Sequence, residues 1–385
     1  MSNDSMDSNV SRLSGEKIQI VDLTRTFSIL AVWMYHYYHL RADLSVRQGW
    51  MWALWHRFSV NGGYGVQVFF VISGFLITRL IASRPGGLFK PDYRNFYSRR
   101  LGRIIPLLVL VLILGILVRA GMPGYSTAFA VCLKLLPRLG WFFWISMATF
   151  CLNWYKFFGG PFNGLHWDVL WSLSIEEQFY LFFPLCLKKM SSEKNLHVFL
   201  WFFILLGPMV RLVGVWKYPD NPYWNSNSFA QFELIAIGSL LYLFSERYRV
   251  LLGENQAVCW FFCLAGGFIL FRTFWELPTD FDYFRKIFSF SFIGWGTFLF
   301  LSGGINIKLF DSKYLAPFAL PGKLSYGGYL FHSLVLYFLW PLISNKVETV
   351  GFPVFAISTL LVAALSYRFY EVPANLWVRR WAGSR

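Results

Sequence analysis

The feature that most constrains this chain is a series of apolar runs, each long enough to cross a lipid bilayer. A membrane-spanning helix needs about 20 mostly apolar residues. Ten such stretches occur along the sequence, near 20–39, 61–82, 102–120, 172–187, 196–216, 229–245, 257–275, 287–304, 324–343 and 350–368. Because lipid supplies no hydrogen-bond partners, each run must satisfy its own backbone as a helix. We therefore predict an all-α polytopic membrane helix bundle with about ten transmembrane helices.

The composition excludes several other classes of protein. Only 14% of the residues are charged, against roughly 25% in a soluble domain, so neither a soluble enzyme nor a nucleic-acid-binding domain is expected. The formal charge of +15 is better explained by cytoplasmic loops that face anionic lipid. The five cysteines lie in apolar surroundings without ligand-like neighbours, which indicates neither a disulfide framework nor a metal site.

The distribution of positive charge predicts the orientation of the bundle. With ten spans and both termini cytoplasmic, 22 of the 35 lysines and arginines fall on the inner side, in agreement with the positive-inside rule. The segment 121–171 then forms an excursion on the outer face, and its aromatic patch at 141–152 is expected to be re-entrant or folded onto the bundle. The predicted domains are a polar tail at 1–17, a membrane domain at 18–370 and a short cytoplasmic tail at 371–385.

The first predicted helix carries ionisable groups, which are costly inside a membrane and so indicate function. Arg25 lies near its inner end, and His36 follows eleven residues later, about 16 Å along a helix. The tryptophan and tyrosine residues around His36 are also typical of an interfacial aromatic belt. If His36 instead faces other polar groups, a neutral imidazole there is suited to act as a general base near pH 7.

Two stretches that follow combine polar groups with helix signals. Ser73 and Gly74, in the second predicted helix, either allow close helix packing or open the backbone toward a ligand. Arg99, Arg100 and Arg103 open the third predicted helix, where a basic run is a common feature of the cytoplasmic side. Arg100 and Arg103 are three residues apart and share a helix face, on which paired guanidinium groups suit phosphate.

Carboxylates and aromatic residues mark two later helices. Ser172 precedes Glu176 and Glu177 at the start of the fourth predicted helix, a pattern that also resembles a capping signature. Two adjacent carboxylates cannot both face lipid, so at least one is expected to face protein. In the ninth predicted helix, Tyr329 and His332 lie three residues apart, near one face.

Taken in order, these motifs resemble those of acyltransferase family three, a family of integral-membrane acyltransferases. The resemblance covers residues from about 18 to 377. It rests on six motifs: Arg25-x10-His36, Gly65-Val-x-x-Phe-Phe-Val-Ile-Ser-Gly-Phe-Leu-Ile-Thr78, Tyr97-x-Arg-Arg-x-x-Arg-Ile-x-Pro106, Trp171-Ser-Leu-Ser-Ile-Glu-Glu-Gln-Phe-Tyr180, Leu324-Ser-Tyr-Gly-Gly-Tyr-Leu-Phe-His332 and Ser366-Tyr-x-x-x-Glu-x-Pro373. One of these motifs alone would be weak evidence, whereas six in order on a ten-span chain are strong evidence.

The resemblance implies transfer of an acyl group, commonly acetyl, from cytoplasmic acyl-coenzyme A (acyl-CoA). The implied acceptor is a hydroxyl of a carbohydrate, glycolipid or cell-envelope glycan at a bacterial membrane. Membrane lipids are expected as further partners, nucleic acid is not, and no metal is implied. We assign catalytic roles to His36, Arg25, Glu176 and Glu177. We assign donor binding to Arg100, Arg103, Arg99 and Ser73, and acceptor binding to Trp171, Ser172, Tyr329 and His332.

Several alternatives stay open at this point. A multi-span transporter or flippase of an envelope precursor would share the intramembrane charges, whereas a purely structural membrane protein would leave them unexplained. Some members of the family carry a fused outer hydrolase-like domain. Because this chain ends at residue 385, we expect it to lack that domain, and it either acts alone or hands the acyl group to a partner protein. Direct transfer and an acyl-histidine intermediate are both compatible with the residues.

Overall fold

The computed structural model describes residues 18–40, 50–121, 141–160, 167, 169–219, 221, 223–276, 282–344, 346 and 348–381. The predicted polar tail at 1–17 lies outside the described residues. The same holds for 122–140, 161–166 and 168 of the predicted excursion, and for 382–385 of the predicted cytoplasmic tail.

The described residues form helices joined by short turns, without a β-strand, which confirms the all-α prediction. In chain order the helices are α1 Gln19–His39, α2 Trp50–Val60, α3 Gly65–Ala82, α4 Tyr93–Gly121, α5 Trp141–Ala148, α6 Leu152–Phe157, α7 Leu170–Lys189, α8 Glu193–Lys217, α9 Ser228–Arg247, α10 Arg249–Glu254, α11 Gln256–Trp275, α12 Tyr283–Gly304, α13 Leu320–Lys323, α14 Ser325–Ile343, α15 Glu348–Ser366 and α16 Val372–Trp381. A π-helical turn at Tyr367–Glu371 joins α15 to α16.

Eight helices within the described ranges are long and apolar enough to cross a bilayer. These spans are Gly62–Ala82, Tyr93–Leu117, Glu193–Lys217, Ser228–Arg247, Gln256–Trp275, Tyr283–Gly304, Ser325–Ile343 and Thr349–Val378. The two other predicted spans are α1 and α7, helices of 21 and 20 residues that contain Arg25, Glu176 and Glu177. The chain is therefore a multi-pass membrane protein, and the two predicted spans outside these eight both hold candidate site residues. The orientation with both termini in the cytoplasm stays a prediction.

Helices α3 and α9 cross at two glycines in the centre of the bundle. A Cβ on Gly74 would lie 1.9 Å from the carbonyl oxygen of Ile235, and a Cβ on Gly238 would lie 1.9 Å from that of Val71. Only glycine allows two helix backbones to approach so closely. One face of α3 therefore packs against α9. Ser73 lies on a different face of α3, where it lines the cavity described below.

A buried ion pair joins α8, α9 and α12. Arg211 Nη2 lies 2.6 Å from Glu233 Oε2, and the two side chains are 0% and 1% exposed. Arg211 also donates hydrogen bonds to the carbonyl oxygens of Ile287 and Ala230 and to the Ser291 hydroxyl, at 2.5, 2.7 and 2.8 Å. The guanidinium, carried by α8, thus binds acceptors on α9 and α12, which compensates the cost of burying its charge.

The aromatic patch at 141–152 belongs to a helical hairpin. Helices α5 and α6 contain eight and six residues, too few to cross a bilayer. They pack against each other and α6 packs against α7, around a turn at Phe150 where φ is +53°. The patch therefore packs against α7 within the described residues. Its location on the outer face stays a prediction.

Arg211→Leu should lower the free energy of unfolding by about 3–5 kcal/mol, because the Glu233 carboxylate stays buried without its partner. Unfolding in detergent, followed by tryptophan fluorescence, measures this loss. The control is Arg247→Leu, since Arg247 is exposed at the end of α9. Equal unfolding midpoints for the two variants would contradict the structural role assigned to the ion pair.

Candidate active site

One large cavity lies among α1, α3, α4, α7 and α14. The space that a water-sized group can occupy inside it is about 110 Å³. The polar residues of its wall are Arg25, Ser73, Arg100, Arg103, Ser172, Glu176, Tyr180, Ser325, Tyr326 and Tyr329. Five of the six sequence motifs thus contribute a side chain to a single space.

The polar wall from α7 follows directly from helix geometry. Ser172, Glu176 and Tyr180 are spaced by four residues, so they form one row along the helix. All three line the cavity. The apolar part of the wall comes mainly from α3, where Val66, Phe69 and Phe70 precede Ser73.

The Glu176 carboxylate is held by hydroxyl groups. Ser73 Oγ donates a hydrogen bond of 2.8 Å to Glu176 Oε1, and the Tyr180 hydroxyl lies 3.5 Å from Oε2. Hydrogen bonds of this kind stabilise a charged carboxylate that is removed from water. Glu176 thus presents an oriented acceptor to the cavity.

Arg25 is anchored between α1 and α14. Its Nη2 donates a hydrogen bond of 2.9 Å to Ser325 Oγ, and its Nη1 lies 3.6 Å from Asp22 Oδ1. Because Arg25 also lines the cavity, its guanidinium places a fixed positive charge in the wall. The structure therefore supports Arg25 as a group that orients or binds an anion.

Arg100 and Arg103 supply positive charge without a bound carboxylate. The Arg100 guanidinium lies 4.0 Å from the centre of the Tyr180 ring. Within the part of the chain that the structure describes, neither arginine forms a hydrogen bond or an ion pair. Their N–H groups therefore face the cavity ready to bind a ligand anion, and guanidinium groups bind phosphate with two donors at once.

The two predicted histidines face each other just beyond the cavity. The ring centres of His36 and His332 are 4.9 Å apart, and His332 is fully buried. His332 Nδ1 lies 2.6 Å from the carbonyl oxygen of Tyr329. Since a carbonyl can only accept, Nδ1 carries a proton, and Nε2 lies 3.3 Å from Ser333 Oγ. Neither histidine is part of the cavity wall.

Tyr329 links the cavity wall to the histidine pair. It lines the cavity, and its ring centre lies 5.7 Å from that of His332. Its hydroxyl is 2.7 Å from Ser172 Oγ and 2.9 Å from the carbonyl oxygen of Val169. His36, which faces His332, is partly exposed. Tyr329 and His332 thus connect the cavity wall to His36.

Three predicted site residues lie away from the cavity. Glu177 is absent from the wall, and its Oε1 is buried without a hydrogen-bond donor. Arg99 donates a hydrogen bond to Asn95 and lines a separate small cleft. Trp171 packs against Phe70, with their ring centres 6.4 Å apart, and so lies behind the wall. For these three residues the structure offers no direct contact with a ligand in the cavity.

Tyr180, Ser325 and Tyr326 line the cavity although no role was assigned to them from the sequence. Tyr180 follows Glu176 by four residues, and that spacing was a usable signal. Tyr326 donates a hydrogen bond of 2.8 Å to the carbonyl oxygen of Ile104, a contact that no local spacing reveals. Within the described ranges, no group of three or more His, Cys, Asp or Glu residues is arranged to hold a metal ion.

Comparison with known proteins agrees with the motifs. Staphylococcus aureus O-acetyltransferase OatA is 26% identical over 368 residues, an alignment that covers 92% of this chain and 56% of the relative. Listeria monocytogenes peptidoglycan O-acetyltransferase OatA is 27% identical over 385 residues, covering 94% of this chain and 56% of the relative. The chain thus spans little more than half the length of these relatives. No solved structure matches it.

A family model described as an acyltransferase domain matches residues 18–368, nearly the whole membrane domain. The match includes each residue of the cavity wall, together with His36 and His332. It confirms the family that the six motifs resemble. This chain belongs to acyltransferase family three, the integral-membrane acyltransferases.

Proposed function

We propose that the chain transfers an acetyl group from acetyl-coenzyme A to a hydroxyl group of a cell-envelope glycan of the peptidoglycan type. The observation that carries the proposal is the cavity itself, whose wall holds Arg100 and Arg103 and reaches the histidine pair through Tyr329. The acceptor class follows from the relatives, one of which is named as a peptidoglycan O-acetyltransferase.

The donor fits the charge pattern of the cavity. The phosphates of coenzyme A are polyanionic, and Arg100 and Arg103 offer guanidinium groups that form no ion pair among the described residues. Arg25 adds a third positive charge from α1. With the phosphates at these arginines, the pantetheine arm extends along the α7 row toward Ser172 and Tyr329, which brings the thioester toward the histidine pair.

The acceptor approaches from the side of His36. His36 removes the proton of the acceptor hydroxyl, whose oxygen forms the new bond to the acetyl carbon. The carbon–sulfur bond breaks, and the proton passes from His36 to the departing thiolate of coenzyme A. His332 packs against His36 and helps to hold its ring in place. Movement of the Tyr329 side chain is the step that brings the thioester to His36.

His36→Ala should reduce the release of free coenzyme A by about 10²–10⁴-fold, the usual contribution of a general base. The assay uses proteoliposomes with acetyl-coenzyme A and soluble peptidoglycan fragments, and a thiol reagent detects the product. His39→Ala is the matched control, because His39 lies one turn later and is exposed. Equal release by wild type and His36→Ala would contradict the role of His36. Absence of release from well-folded wild type would instead favour transport of an envelope precursor.

Arg103→Gln should raise the KM for acetyl-coenzyme A by about 10–100-fold, because a charge-assisted hydrogen bond is worth about 1.5–3 kcal/mol. The same variant should use acetyl-pantetheine, which lacks the phosphates, as well as the wild type does. Arg380→Gln, at an exposed position of α16, is the control for general loss of charge. A KM that rises equally for both donors would show that Arg103 does not bind phosphate.

A further inference from the structure

Helix α7 has a second face, opposite the cavity, that carries a polar junction. Gln178 follows Glu176 by two residues, which is a rotation of about 200° around a helix. It therefore points away from the cavity when Glu176 points into it. On this back face, α7 meets the hairpin formed by α5, the turn at Phe150 and α6.

All four hydrogen-bonding positions of the Gln178 amide are used. Its Nε2 donates to the carbonyl oxygen of Phe150 at 2.6 Å and to Asn153 Oδ1 at 2.9 Å. Its Oε1 accepts from Ser228 Oγ and, at 3.4 Å, from Trp154 Nε1. The carbonyl of Phe150 can only accept, so this network also determines which end of the amide is nitrogen.

The junction joins three parts of the chain. Asn153, fully buried on α6, donates to Ser228 Oγ at 2.9 Å and to the carbonyl oxygen of Ser226 at 3.3 Å. The hairpin, α7 and the start of α9 are thus connected through one side chain. Phe150 has a left-handed φ of +53°, which is unfavourable for a bulky residue. Its carbonyl oxygen is one of the two acceptors to which Gln178 Nε2 donates.

The hairpin lies directly behind the wall of the cavity. Leu173 belongs to the cavity wall and also to a small cleft that Phe150 and Leu152 of the hairpin line. Lys156 Nζ lies 5.8 Å from the centre of the Trp171 ring. Trp171 precedes Gln178 by seven residues, so both lie on the back face of α7. A displacement of the hairpin would therefore move α7 and its front row of Ser172, Glu176 and Tyr180.

We infer that Gln178 is a positioning residue for acyl transfer, which holds the hairpin against the back of α7 and so orients the front row in the cavity. The inference rests on the proposed function. Gln178 touches no ligand in this arrangement, so its loss should affect the turnover of bound donor more than donor binding. Misplacement of reacting groups by about 1 Å can reduce the rate by about 10²-fold.

Gln178→Glu is the sharpest substitution, because it keeps the shape and removes both N–H donors. A carboxylate oxygen would then face the carbonyl oxygen of Phe150. We expect amide hydrogen exchange in the hairpin to accelerate by about tenfold, as loss of buried hydrogen bonds typically allows. We expect kcat to fall by about 10–100-fold, while the KM for acetyl-coenzyme A stays at the wild-type value. Gln256→Glu makes the same chemical change at an exposed helix position and should leave both readouts unchanged.

Ser228→Ala is the milder variant, in case Gln178→Glu does not fold. It removes one donor to the Gln178 amide and one acceptor for Asn153, and it should shift both readouts in the same direction by a smaller factor. Mass spectrometry of peptides that cover 141–157, on protein in nanodiscs, measures the exchange. Steady-state release of coenzyme A gives kcat and KM.

Accelerated exchange together with reduced kcat and unchanged KM supports the inference. Unchanged exchange, or accelerated exchange with wild-type kcat, overturns it while the proposed function stands. A folded wild type that transfers no acetyl group from any donor overturns the proposed function, and the positioning role with it. In that case, the hydrogen-exchange rates of the Gln178→Glu variant still show whether Gln178 holds the hairpin in place.

Discussion

Polar groups inside a membrane bundle have to find their partners on other helices, and this requirement organises the structure. Arg211 and Glu233 show the purely structural solution, since the guanidinium binds the carboxylate, a hydroxyl and two carbonyls, and both side chains are buried. The same principle holds α1 to α14 through Arg25 and Ser325, and α3 to α7 through Ser73 and Glu176. Each pair fixes the distance between two helices, and together the last two pairs shape the cavity that they line.

Against this background, the side chains that lack a partner are informative. Among the described residues, Arg100 and Arg103 line the cavity without an ion pair, while the Glu176 carboxylate of the same wall interacts with both at longer range. An anionic ligand would give these guanidinium groups direct hydrogen-bond acceptors. The bundle is thus stabilised by hydrogen-bonded polar groups, and its proposed activity depends on cations that can still bind a ligand.

Tyr329 connects the cavity to the histidine pair. The cavity wall holds the arginines and Glu176, and His36 faces His332 beyond that wall. The proposed transfer from a cytoplasmic thioester to an envelope hydroxyl joins two substrates that approach from opposite faces of the membrane. The hairpin of α5 and α6 packs behind α7. Its polar junction with α7 at Gln178 is as fully hydrogen-bonded as the Arg211–Glu233 ion pair.

The sequence by itself determined the features that depend on one helix at a time. Runs of about 20 apolar residues predict helices because lipid leaves no other backbone structure, and spacings of three or four residues placed Arg100 with Arg103. The tertiary structure alone decided which helices meet. It decided which face of each helix borders the cavity, so that Arg100 lines it while Arg99 lines a separate cleft and Trp171 packs on Phe70. It also joined Arg25 to Ser325 across 300 residues of chain and His36 to His332. Such contacts depend on how whole helices pack, for which local spacing contains no signal.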